Sequence, residues 1–230
     1  MNYPNERSLA AVRESASDAL WATYRWMSIG LATTGVVALG VAHSPAAFDL
    51  LLTNRILFYG LLFGQLGLVV ALSSMAARVS TPVAALMFFA YSGLTGVTFS
   101  TLFLVYTSSS IAGTFFVTAG AFAGLSAFGT VTRRDLGALG RFGFFALIGL
   151  ILASLVNLFL RSSGLDWLIT FAGVLLFAAL TAYDTQRLKT LFQRGEASAN
   201  LPLTGALILY LDFINMFLFL LRILGRRRRD

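Results

Sequence analysis

Long apolar blocks alternate with short polar separators along most of the chain. The blocks run near Trp26 to Ala42, Ile56 to Met75, Val83 to Tyr106, Ile111 to Val131, Phe142 to Leu160, Trp167 to Gln193 and Leu203 to Leu224. Most are about 17 to 24 residues long, the length an α-helix needs to cross about 30 Å of hydrocarbon. The pattern predicts seven membrane-crossing helices. Between them stand "HSPAAFD", "RVSTP", "TSSS", "TRRDLGALGR", "RSSGLD" and "RGEASANLP", which carry the helix breakers and leave no room for a soluble domain. The expected organisation is a short amino-terminal tail over 1–25, one seven-helix transmembrane domain over 26–225 and a basic tail over 226–230.

Composition supports the same class. Of 230 residues 57% are hydrophobic and 12% charged, with a mean hydropathy of +0.80, outside the range of a domain that must cover its surface with polar groups. The chain has no cysteine, so disulfides, thiolate zinc sites and thiol nucleophiles are excluded. Its single histidine, His43, reads as an interfacial residue at a helix end. The first 25 residues mix Arg7, Arg13 and Arg25 with Glu6, Glu14 and Asp18 and lack the apolar core of a cleavable signal peptide. Gly60 with Gly64 and Gly120 with Gly124, at four-residue spacing, are expected to pack helices within the bundle.

Seven crossings would place Arg7, Arg13, Arg25, Arg78, Arg133, Arg134, Arg141, Arg187, Lys189 and Arg194 on the amino-terminal side. The opposite loops hold only Arg55 and Arg161, so the positive-inside rule makes the amino terminus cytoplasmic. The terminal "RRRR" then falls on the other side, against the rule, unless the last segment is re-entrant. The net charge of +7 is accounted for by these flanks and by lipid headgroups, without nucleic acid. Nothing in the sequence demands more than a monomer.

One residue resists the apolar pattern. Asp212 lies near the centre of "ALILYLDFINMFLFLLRIL", and a carboxylate at mid-membrane is costly enough that such residues face the protein interior and mark pathways, relays or switches. Asp184, in "FAALTAYDTQRLKTLFQ", is the other carboxylate placed to sit inside. The two are centred on position 198, within "RGEASANLP", so an antiparallel hairpin brings them to one depth. Close approach would let them share a proton and titrate as a unit. At about 100° per residue, Gly205 shares the azimuth of Asp212, Asn215 lies within about 60° and Arg222 within about 80°. The structural alternative for Asp212 is neutralisation by Arg222 or Arg78. For Asp184 it is a surface pair with Arg187.

"LTAYDTQRLK" followed by "GALILYLDFINMFLFLLRILG", with "YSGLTGVTFSTLFLVYT" upstream and "TRRDLGALGRFGFFALIGLILASLVNLFL" between, resembles the Bax inhibitor-1 family in a bacterial form. The resemblance runs from the first helix to the carboxyl end. It implies an all-α integral membrane protein of the bacterial inner membrane, a seven-transmembrane-helix bundle with a central last helix. It further implies a pH-sensitive calcium leak channel in which Asp184 and Asp212 are sensor, gate and tentative calcium ligands, with calcium the transported or bound ion and no other cofactor. The family's latching cation is matched by Arg78 or by Arg222, and Asn215 is a polar partner of the pair. Some members carry an acidic residue in the second helix, where this chain offers Gln65.

Ionised, the two aspartates would repel each other and attract a hard divalent cation; sharing one proton, they would tie two helices together. Thr95, Gly96, Thr98, Ser100 and Thr101 are candidates to line a route, the alternative being hydroxyls bonded to their own helix. Asn157 is expected to make an interhelical hydrogen bond. Two other classes are compatible with a pair of intramembrane aspartates. Intramembrane aspartyl proteases carry "GxGD" and "PAL" motifs, whereas this chain has "LYLD" and no "PAL", so it is expected not to be an enzyme. A regulator of a membrane protease or stress response would act through the amino-terminal tail and basic loops.

Overall fold

The computed structural model describes residues 6–75, 78–195 and 200–228. Among them are nine helices: α1 (Glu6–Ala42), α2 (Pro45–Thr53), α3 (Arg55–Met75), α4 (Thr81–Phe99), α5 (Leu102–Val105), α6 (Ser108–Val131), α7 (Gly137–Leu160), α8 (Ser163–Gln193) and α9 (Leu201–Leu224). Seven spans are long and apolar enough to cross a membrane: Glu14–Ala42, Arg55–Ser74, Thr81–Val105, Ser108–Val131, Gly137–Leu160, Ser163–Gln193 and Leu201–Leu224. The protein is an all-α, multi-pass membrane protein, as the block pattern predicts. Position 198, the expected hairpin centre, and Arg229 of the basic tail lie outside the described residues.

Two elements depart from the pattern for local reasons. Helix α1 starts at Glu6 because no Pro or Gly interrupts the run up to Trp26, and Ala, Leu, Arg and Glu favour helix. The separator after His43 folds as α2, with Pro45 at its first position, where a missing N–H costs nothing.

The chain forms two compact units, one of residues 1–105 with 191–210, the other of residues 106–190 with 211–230. In the first, α1 and α4 approach closely. A Cβ on Gly96 would meet the Thr34 carbonyl at 2.7 Å, and one on Gly30 would meet the Phe88 ring at 2.5 Å. In the second, α6 and α8 meet backbone to backbone, so that a Cβ on Gly129 would collide with the Ala182 carbonyl. Gly140 and Gly143 on α7 seat the Tyr183 ring and Leu180 of α8 in the same way. By contrast, a Cβ on Gly60, Gly64, Gly120 or Gly124 would meet nothing within 4 Å. These four do not pack helices as expected, because spacing alone does not say which face of a helix is covered.

Both ends of the second unit are defined by contacts. At one, the Thr107 N–H donates to the Arg226 carbonyl at 3.0 Å, and Arg222 of α9 lies 3.8 Å from Asp166 of α8. At the other, the Lys189 ammonium donates to the Thr130 carbonyl at 2.6 Å. The last turn of α9 thus ends beside the starts of α6 and α8. Half of the α9 span is buried, against 6% of the α7 span; its residues are the protein's interior, whereas most of α7 is left for lipid.

Candidate functional site

Asp184 sits on the most firmly anchored part of α8. Its neighbours are held by Gly129 beneath Ala182, by Gly140 beneath Tyr183 and by a 3.2 Å hydrogen bond between the Ser126 and Thr185 hydroxyls. Two residues on, the Gln186 amide closes a clamp on the α6–α7 loop. Its Oε1 accepts from the Leu136 N–H at 2.9 Å and its Nε2 donates to the Arg134 carbonyl at 2.8 Å. Lys189 caps the carboxyl end of α6, where carbonyls lack helical partners and the dipole favours a cation.

Asp212 occupies the middle of α9 between fully buried Tyr210 and nearly buried Phe213, whose ring packs on Phe115 and Phe122 of α6 at 5.3 and 5.6 Å. It is 5% exposed and Asp184 is 9% exposed. Both lie in the second unit, and the charge of Asp184 reaches Asp212. Among the described residues, Asp212 Oδ2 has no hydrogen-bond partner. A buried carboxylate oxygen without a partner is expensive, and an adjacent second carboxylate adds to the cost when both are ionised. A shared proton or a cation relieves both terms.

Arg222, one of the cations expected to latch this pair, is engaged elsewhere. Arg222 contacts Asp166 and lies over the Phe219 ring, 5.5 Å from its centroid. Arg78 is exposed in the turn between α3 and α4. Arg187, three residues beyond Asp184, is exposed and acts on Asp184 from the solvent side. Asn215 donates to the Leu211 carbonyl of its own helix at 2.8 Å, so its amide N–H is used locally.

The proposed route residues also bond locally. Thr95, Thr98, Ser100 and Thr101 donate to the carbonyls of Tyr91, Leu94, Val97 and Thr98 at 2.6 to 3.2 Å. Gly96 is filled by α1. Asn157 does not bridge helices: its Oδ1 accepts from the Ser162 N–H at 3.0 Å, closing the end of α7, where Arg161 adopts a left-handed φ of 51°. Gln65 donates to the Leu94 carbonyl at 3.0 Å and to Thr98 Oγ1, and exposed His43 bonds the Leu39 carbonyl at 2.8 Å, ending α1. Sequence reasoning missed the Gln186 clamp and the capping role of Lys189. Their signal was two polar side chains, two and five positions past Asp184, at the end of a membrane helix.

Calcium takes roughly six to eight oxygen ligands. Among the described residues no group of three or more His, Cys, Asp or Glu is gathered, and two carboxylates offer fewer oxygens than that.

Residues 17–229 match the sequence model of a family described as inhibitor of apoptosis-promoting Bax1. The chain belongs to the Bax inhibitor-1 family. Within it, inner membrane protein YbhL of Escherichia coli K12 is 47% identical over 231 residues, covering 98% of this chain and 99% of the relative. An uncharacterized protein of Borreliella burgdorferi is 43% identical over 208 residues, covering 89% of this chain and 90% of its own length. One from Deinococcus radiodurans is 47% identical over 204 residues and 87% of each chain. Both aspartates fall inside the matched family region, so the site belongs to the Bax inhibitor-1 part of the chain and not to an appendage.

Proposed function

We propose that this Bax inhibitor-1 protein is a pH-sensitive calcium leak channel of the bacterial inner membrane, gated by Asp184 and Asp212. One observation carries the reading: two buried carboxyl groups interact on α8 and α9, and Asp212 Oδ2 lacks a hydrogen-bond partner among the described residues. A single shared proton lets one carboxyl donate to the other and ties the helices. Loss of that proton leaves two like charges in a low-dielectric interior, which favours separation or capture of a divalent cation. Proton binding and helix separation are therefore linked. The chain acts as a monomer with lipid and calcium as its partners and performs no catalysis; Leu209 precedes Asp212 by three residues, where the aspartyl protease motif has glycine.

Calcium entry into liposomes holding the purified protein, followed across a pH series, tests this. Wild type is expected to leak calcium in a pH-dependent way, and Asp184→Asn and Asp212→Asn are each expected to flatten the pH response. A wild type that leaks no faster than empty liposomes at every pH removes the channel reading and makes regulation of a membrane protease the next function to examine.

A further inference from the structure

The chain past α9 is an arginine run held in place. The Gly225 N–H donates to the Leu221 carbonyl at 2.8 Å, ending the helix. A Cβ on Gly225 would press on the Tyr106 ring at 2.5 Å, so only glycine lets the chain turn there. The Arg226 carbonyl then accepts from the Thr107 N–H at 3.0 Å and from the Ser110 hydroxyl at 3.5 Å, and Arg227 forms an antiparallel bridge with Tyr106. These contacts use backbone atoms of the run. Its side chains, those of Arg226, Arg227 and Arg228, are exposed.

The charge balance at this end of the unit is one-sided. Arg161 and Arg222 join Arg226 and Arg227, while the single carboxylate there among the described residues, Asp166, already faces Arg222. Arg226 follows the last apolar residue of the span by two positions, which puts the run at the depth of lipid headgroups. Guanidinium groups there meet phosphate at close range, and Arg matches phosphate geometry with paired donors.

We propose that Arg226 and Arg227 form a fixed docking strip for the phosphate of anionic phospholipid headgroups. The tail is a preorganised strip, so its ordering cost is met in folding and not on binding lipid. The strip does not depend on the channel reading.

The three tryptophans provide a local probe. Trp21 and Trp26 lie on α1, whereas Trp167 follows Asp166 directly and is 63% exposed. In a Trp21→Phe, Trp26→Phe background, Trp167 fluorescence reports lipid at the arginine end. Reconstituted into phosphatidylcholine vesicles containing brominated phosphatidylglycerol, this protein is expected to be quenched more strongly than with brominated phosphatidylcholine at equal mole fraction. A basic residue near an anionic surface is worth about 1 kcal/mol, or about fivefold, so a relative preference of about tenfold or more is expected from two. Replacing Arg226 and Arg227 together by Gln should remove the preference, replacement by Lys should keep most of it, and Arg133→Gln with Arg134→Gln should leave it unchanged. Equal quenching by the two lipids, or a preference that survives the Gln substitutions, overturns the proposal. So does a preference erased by inorganic phosphate at constant ionic strength, which would assign the strip to a soluble anion.

Discussion

The Tyr210 hydroxyl illustrates how a single polar group is accommodated in the apolar interior. It lies 2.6 Å from Thr34 Oγ1, which is also 3.0 Å from the Gly30 carbonyl and 2.9 Å from the Ser92 carbonyl. Carbonyls only accept, so the one Thr34 proton goes to them and Tyr210 is the donor to Thr34. The bond joins α1 to α9, and the Tyr210 ring packs edge-on against Phe88 and Tyr91 of α4 at 5.8 and 5.7 Å. Tyr210→Phe keeps the ring and deletes the donor, and interhelical hydrogen bonds in membranes average about 0.6 kcal/mol with a maximum near about 1.7. A small but measurable drop in thermal stability in detergent is expected; an unchanged melting curve would show the bond to be energetically idle. The glycines divide more sharply. Gly129→Ala drives a methyl group into the Ala182 carbonyl, and backbone cannot yield as a side-chain tip can, so a loss of about 1–3 kcal/mol is expected. Gly124→Ala enters open space and should leave the melting temperature unchanged.

At the scale of elements, α8 is the anchored partner of the aspartate hairpin. Gly129, Gly140, Gly143, Gln186 and Lys189 together tie it to α6, to α7 and to the loop between them. Gln186 is the bond most easily tested. Gln186→Ala strands the Leu136 N–H, and one hydrogen bond is worth about 1 kcal/mol net. Amide exchange over residues 132–137 is therefore expected to speed up about fivefold, with exchange in the α6 interior unchanged. Acceleration spread over all of α6 and α7 would mean that the clamp holds the whole helix pair and not only its loop. Legibility differed along this element. Asp184 could be paired with Asp212 from their equal distances to position 198, whereas the Gln186 clamp could not be read, because its acceptor and donor are backbone groups some fifty residues away.

The whole molecule carries seven spans and ends α9 beside the starts of α6 and α8. If all seven spans cross, the two termini are expected on opposite faces, and the positive-inside rule, applied to the loops, predicts a cytoplasmic amino-terminal face. Alkaline phosphatase fused after Arg228 is expected to be active, and a fluorescent protein that folds only in the cytoplasm is expected to shine when fused at the amino terminus. Both signals from the cytoplasmic side would require an even number of crossings, and with it a different course for α9.

The sequence by itself determined the class, the seven spans and the family, and it singled out the aspartate pair. Those features rest on runs of apolar residues and on chain distances, which are one-dimensional quantities. It could not assign partners to Arg222, Asn215 or Asn157. The expected roles of Arg222 and Asn215 rested on azimuth, but a polar side chain in a membrane bonds the nearest available group, often the preceding turn of its own helix, as the hydroxyls of the third span do. Which glycines pack and which face open space was likewise decided by tertiary structure, since Gly124 and Gly129 lie on one helix and only their neighbours distinguish them. The same holds for the arginine tail, whose place was set by a glycine against a tyrosine ring and by backbone bonds to a loop more than a hundred residues earlier.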